Sequence, residues 1–176
     1  MTCIAAIVGE DGSFIAGERG VSSDDCMMLI DTPKVWKSGE YLFGYYGGME
    51  GLRFKENFIP PKIPVGVDII KFMNTIFIKS VYDFYQEYFI PANSGDVDAG
   101  IIIVVRNKIF EHDCSDMSMT SFSNDYFAIG TGGSYALGSL FTTETWKDSK
   151  KRLRVAIESA IKYSMSCQGD IDIVSL

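Results

Sequence analysis

The sequence predicts an α+β fold, a four-layer αββα sandwich in which two antiparallel sheets pack face to face between helix layers. Two observations carry this expectation. Short apolar runs bounded by turn residues and longer amphipathic stretches follow the order strands, helices, strands, helices, strand, which suits two sheets each covered on its outer face. The 176 residues are 47% hydrophobic, enough for one core, so a single domain is expected over residues 1–176.

Residues 2–8 are mostly apolar and read as a buried strand. Residues 13–17 follow the turn Glu10-Asp11-Gly12, so the two runs should form a hairpin. The polar stretch 19–25 reads as a loop. Residues 34–36 and 40–46 read as two strands turning at Ser38-Gly39, with Gly47-Gly48 closing the second and a short helix near 49–54. The proline-rich segment 59–64 reads as a rigid loop. A long amphipathic helix is predicted over 67–88, where Ile69, Ile70, Met73, Ile76, Phe77, Val81, Phe84 and Tyr88 recur every three or four residues. Asn93-Ser94-Gly95-Asp96 breaks that pattern. Residues 98–105 and 108–112 form a second hairpin turning at Arg106-Asn107, and 126–129 a further strand. Thr131-Gly132-Gly133 opens one helix, 148–166 forms another, and 171–174 is the final strand.

The net charge of −7 argues against nucleic-acid binding, which favours a basic face. Lys147, Lys150, Lys151, Arg152 and Arg154 cluster, but with Asp148 and Glu158 among them they read as a solvated helix face. No apolar run is long enough to span a membrane, and residues 1–10 lack the basic start and cleavage site of a signal peptide. Cys3, Cys26, Cys114 and Cys167 form no CxxC pair and His112 is the only histidine. Neither a zinc site nor any cofactor is therefore expected. The thiols read as reduced and the compartment as cytoplasmic. His112, between Glu111 and Asp113 on a strand, reads as exposed or structural.

The candidate chemistry begins at Thr2. Removal of Met1 leaves a threonine carrying a hydroxyl nucleophile and, on the same residue, an amine of pKa roughly 7.7–8.0. That amine is a general base suited to neutral pH. A buried lysine beside it would hold it neutral, and a carboxylate would hold the lysine. Lys34 and Glu18 are the candidates. Cys3 is a lesser candidate nucleophile, since it would require the loss of Thr2 as well.

Taken together, Thr2, Gly17-Glu18, Lys34, Gly47-Gly48 and Gly130-Thr131-Gly132-Gly133 resemble the N-terminal-nucleophile (Ntn) hydrolases, the group of proteasome β-subunits and the bacterial HslV peptidase. Glu18 lies 16 positions and Lys34 32 positions after Thr2, the usual separations of that group. Residues 126–140 look especially like the HslV version. The resemblance implies a threonine peptidase in a homo-oligomeric ring acting on peptides or unfolded protein, with an ATP-dependent unfoldase as a further partner. It implies Thr2 as nucleophile, Lys34 tuning its amine, Glu18 anchoring Lys34, the Gly47 N–H facing the oxyanion and Thr131 supporting the site. It also implies Tyr45 near the primary specificity pocket. Two departures stand out: Glu18 replaces the usual aspartate, and Ser164 and Cys167 stand where an aspartate and a serine usually complete the site. A catalytically silent structural subunit and a small-molecule amide hydrolase are the alternatives.

Overall fold

The computed structural model describes residues 2–23, 26–48, 50–88, 99–115 and 117–176. Met1, the 93–96 break and the ends assigned to Met49 and Asp98 lie outside the described residues.

The first sheet starts with the hairpin of β1 (Ile4–Gly9) and β2 (Gly12–Glu18). It is completed by β10 (Tyr126–Ile129) beside β1 and β11 (Ile171–Ser175) beside β2, in the order β10-β1-β2-β11. The second sheet runs β5 (Val35–Ser38), β6 (Tyr41–Gly47), β7 (Ala99–Val105), β8 (Lys108–Asp113) and β9 (Ser118–Phe122) in sequence order. All these pairings are antiparallel.

Side-chain alternation explains the layers. Along β1 and the residue before it, Cys3, Ala5 and Ile7 face one way and Ile4 and Ala6 the other, and all are buried. In β7, Ile101, Ile103 and Val105 face one way and Ile102 and Val104 the other. A strand buried on both faces lies between two layers, since successive side chains point to opposite sides. Ile4, Ile15, Leu42, Ile102 and Val104 fill the space between the sheets. Outside the first sheet lie α4 (Gly133–Thr142) and α5 (Ser149–Tyr163). Outside the second lie α1 (Glu50–Asn57), α2 (Ile69–Phe72) and α3 (Ile78–Tyr88), where Phe43, Phe54, Phe58, Phe77 and Phe84 form one aromatic cluster. The architecture is the αββα sandwich expected. Among the described residues, no helix is long and apolar enough to cross a membrane.

The structure departs from the expectations in several places. The stretch 19–25 is not simply a loop, because β3 (Gly20–Ser23) pairs with β4 (Cys26–Leu29) as a separate ribbon. Strand β9 has no counterpart in the sequence reading. The long helix forms, but a π-helical segment, Met73–Phe77, joins α2 to α3. Its i→i+5 bonding puts more residues in each turn, so Met73, Phe77, Val81 and Phe84 align while Ile76 and Ile70 rotate outward to 55% and 41% exposure. Finally, Arg152 is buried rather than solvated. His112, read as exposed or structural, is structural: it is fully buried with Nδ1 2.9 Å from Ser118 O.

Candidate active site

The hairpin register puts Glu18 at the end of β2, level with the residues that lead into β1. Lys34 enters from the second sheet, immediately before β5. These chain ends meet at one edge of the sandwich. Thr2, Glu18 and Lys34 are each at most 2% exposed.

Their geometry is tightly specified. Thr2 Oγ1 donates to Glu18 Oε1 at 2.6 Å and accepts from Lys34 Nζ at 2.5 Å. Lys34 Nζ also donates to Glu18 Oε1 at 2.8 Å and to Gly20 O. An ammonium has three protons, so all of its donors are used. Glu18 is likewise saturated: Oε1 also accepts from Cys3 N at 3.1 Å, and Oε2 accepts from Gly20 N at 2.5 Å and Gln168 N at 3.2 Å. A buried ion pair holds only where such extra bonds satisfy both groups.

The strap carrying Lys34 is pinned from outside. Arg19 grips Asp172 with Nε and Nη2, each at 2.8 Å, and donates from Nη1 to Asp31 O at 2.9 Å. Its own carbonyl accepts from Ile30 N. Lys55 Nζ donates to Pro33 O at 2.9 Å, and Tyr45 N to Lys34 O at 3.1 Å. Burial, more than the carboxylates of Glu56 and Asp172, sets the Lys55 ammonium and lowers its pKa.

Thr131 and the turn before α4 hold the other side of Thr2. Gly132 N donates to Thr2 O at 3.2 Å, and Thr131 Oγ1 makes a long contact of 3.4 Å to the same oxygen. Gly130 has φ 88°, and a Cβ there would stand 2.2 Å from Thr2 O. Only glycine meets both conditions. Gly47 ends β6 with φ 82° and is exposed, its backbone open to the surroundings.

Cys3 and Cys167 pack beneath Thr2 against Gly132. Burial first, then neighbouring Cys167 and the Glu18 carboxylate, push the Cys3 thiol far up, which disfavours the thiolate a nucleophile needs. Cys167 is also raised by burial, and its thiol bonds with Ser164 and Thr131. Ser164 caps α5; no carboxylate stands in its place. Tyr45 is 2% exposed with its ring over Gly51 of α1, and its hydroxyl has no hydrogen-bond partner among the described residues. Burial and then the Glu18 charge push it up to about 12.

Thr2, Glu18 and Lys34 thus come together through side chains, Thr131 joins at the edge, and Gly47 stands at the strand end with no hydrogen bond to them among the described residues. The sequence reading missed the backbone of Cys3, Gly20 and Gln168, which completes the Glu18 cage. Backbone groups belong to every residue type, so no residue identity could have flagged them. Arg19 and Lys55 were also missed; the adjacency of Arg19 to Glu18 was the one available signal.

No protein-family model matches the sequence, and no curated protein matches it. Solved structures do. The Thiobacillus denitrificans BPH in complex with epoxomicin is 16% identical with a TM-score of 0.76, over 99% of this chain and 98% of that one. A second BPH structure gives 0.75 at 16% identity, over 99% and 97%. The eukaryotic HslV from Trypanosoma brucei gives 0.71 at 16% identity, over 99% and 100%. This chain has the fold of an HslV-like proteasome β-subunit. In the HslV-like fold, then, the cluster of Thr2, Glu18 and Lys34 sits at the edge where the first strand of one sheet meets the first strand of the other.

Proposed function

We propose that this chain is a threonine-type peptidase subunit of a self-compartmentalising homo-oligomeric ring, active once Met1 is removed. The observation that carries this reading is the Thr2 hydroxyl, held between the Lys34 ammonium at 2.5 Å and the Glu18 carboxylate at 2.6 Å. A positive charge beside the hydroxyl favours its alkoxide-like form and disfavours protonation of a nearby amine.

In this mechanism the freed Thr2 amine takes the hydroxyl proton as Oγ1 attacks the scissile carbonyl carbon. The carbonyl electron pair moves to oxygen, where the Gly47 N–H would donate to it; such a donor contributes about 2.7–4 kcal/mol. The oxyanion then collapses, the C–N bond breaks, and the ammonium returns its proton to the departing amine. An ester on Thr2 remains, and water attacks it with the amine again as base. Glu18 serves as an anchor rather than a base, because both its oxygens are already engaged. Tyr45, filling space against α1, restricts the pocket to small side chains. Peptides or unfolded protein are the substrates, with an ATP-dependent unfoldase as a feeding partner.

A silent structural subunit is the second reading. It is favoured by the near-complete burial of Thr2 and by Ser164 and Cys167 in the place of a supporting acid. Intact mass spectrometry, fluorogenic peptide turnover and thermal-shift measurement with epoxomicin separate the two. Loss of one methionine mass, turnover abolished by Thr2→Ala, and stabilisation by epoxomicin are expected. Equal inactivity of the processed wild type and Thr2→Ala across a broad peptide panel would leave the structural role.

A further inference from the structure

We propose that a cleft beside the start of α5, separate from the Thr2 cluster, binds a small zwitterion, an amino acid or short peptide, with its carboxylate on Arg152. The cleft measures about 600 Å³, within the usual range of roughly 300–1,000 Å³ for small-molecule sites. It is lined by Arg152, Tyr126, Trp146, Glu10, Asp125 and Glu144, with Lys147 beside Trp146.

Arg152 is the reason to expect a ligand. It is 7% exposed, yet no carboxylate pairs with it among the described residues. Nη2 donates to Leu140 O at 3.1 Å, the guanidinium lies 5.6 Å from the centre of the Tyr126 ring, and Nε has no partner among the described residues. Asp11, whose carboxyl feels the charge of Arg152, is committed to the hydroxyl and amide of Ser149. A buried cation without a counterion is unfavourable, and a guanidinium is suited to a carboxylate. The lining of the same cleft also carries Glu10, Asp125 and Glu144, all exposed. Three carboxylates repel a polyanion but suit an ammonium. The site therefore selects a molecule bearing both charges, with Trp146 available to cover its body.

Glycylglycine is the test probe, against sodium acetate for the carboxylate alone and methylammonium chloride for the ammonium alone. Backbone NMR titration of the wild-type protein should show saturable shifts at millimolar glycylglycine in residues 8–10, 123–126 and 144–152. Acetate should bind at least about tenfold more weakly and methylammonium more weakly still. Arg152→Met, which replaces the charge with an apolar chain of similar length, should lose the response while raising the melting temperature of the free protein. Glu144→Gln, on the surface, should weaken glycylglycine but not acetate, and keeps the test open if Arg152→Met does not fold. The proposal is overturned by an absence of saturable shifts, by shifts elsewhere only, or by acetate binding as well as glycylglycine. Activity plays no part in these readouts, so the result is independent of whether Thr2 is a nucleophile.

Discussion

Glu18 joins more of the site than any other side chain. Its carboxylate receives five hydrogen bonds, three of them from the backbone amides of Cys3, Gly20 and Gln168 and two from the side chains of Thr2 and Lys34. The longer side chain is therefore built into the surrounding backbone and is not a loose approximation to an aspartate. Glu18→Asp should withdraw the carboxylate from one side of this cage and lower peptide turnover, by an expected tenfold or more, about 1.4 kcal/mol; steady-state kinetics with a fluorogenic peptide checks this. An unchanged or raised rate would mean that the backbone closes up around the shorter acid. Lys34→Ala has a second consequence besides lost activity. It leaves a buried carboxylate without its cation, a change that costs about 3–5 kcal/mol, and chemical denaturation should register it. At this scale the meeting of Thr2, Glu18 and Lys34 was legible in the sequence, because the three are chemically distinctive and evenly placed. The saturation of Glu18 by backbone amides was not legible, since it depends on where Gly20 and Gln168 fall in three dimensions.

Among the elements, the hairpin of β1 and β2 and the turn before α4 position the site most directly. The turn brings Gly130 against the Thr2 carbonyl with φ 88°. Gly130→Ala should destabilise the fold by more than about 3 kcal/mol, through the strained backbone and the contact with Thr2 O together; thermal denaturation measures it, and a loss below about 1 kcal/mol would show that the turn relaxes freely. Arg19 acts one step further out, tying β11 to the Lys34 strap. Strands with both faces buried, such as β1 and β7, were readable as continuous apolar runs. The ribbon of β3 and β4 and the edge strand β9 were not, because Gly20–Ser23 and Ser118–Phe122 carry too few apolar residues to show a period of two. The helix over 67–88 was readable as a helix, but its buried face was misassigned at Ile70 and Ile76, since a π-helical segment leaves no mark in composition.

For the whole molecule, layer order was legible from the order of strand and helix stretches, although the first sheet joins β1 and β2 to β10 and β11 from the far end of the chain. The ring is an expectation that rests on the resemblance alone. The aromatic side chains Tyr135, Phe141 and Tyr163 and the nearly fully exposed Met165 stand on the outer face of α4 and just beyond α5, and the proposed ring predicts a mass several times 19.5 kDa in light scattering. A monomer at micromolar concentration would remove the ring from the proposal. Acid stability offers another measurement. Burial acts upward on the Asp11 carboxyl, but the hydroxyl and amide of Ser149 and the charge of Arg152 outweigh it and hold it below its ordinary value. A carboxyl depressed in the folded state contributes stability above its unfolded pKa of about 3.9 and loses that contribution as the pH falls through its folded value. Asp11→Asn should therefore be less stable than wild type at neutral pH, with the difference shrinking below about pH 4 in denaturation curves. A difference independent of pH would mean that the capping geometry at Ser149, and not the charge, matters.

The amide of Gln168 and the carboxylate of Glu18, 150 residues apart, close the same cage, and β11 pairs with the strand that carries Glu18. During synthesis the hairpin that bears Thr2 and Glu18 emerges long before the segment that completes it. Thr2 cannot reach its finished surroundings on a nascent chain, and a truncated product lacking the segment from Gln168 onward would carry an incomplete Glu18 cage. Completion of synthesis thus acts as a timing control on the chemistry proposed for Thr2.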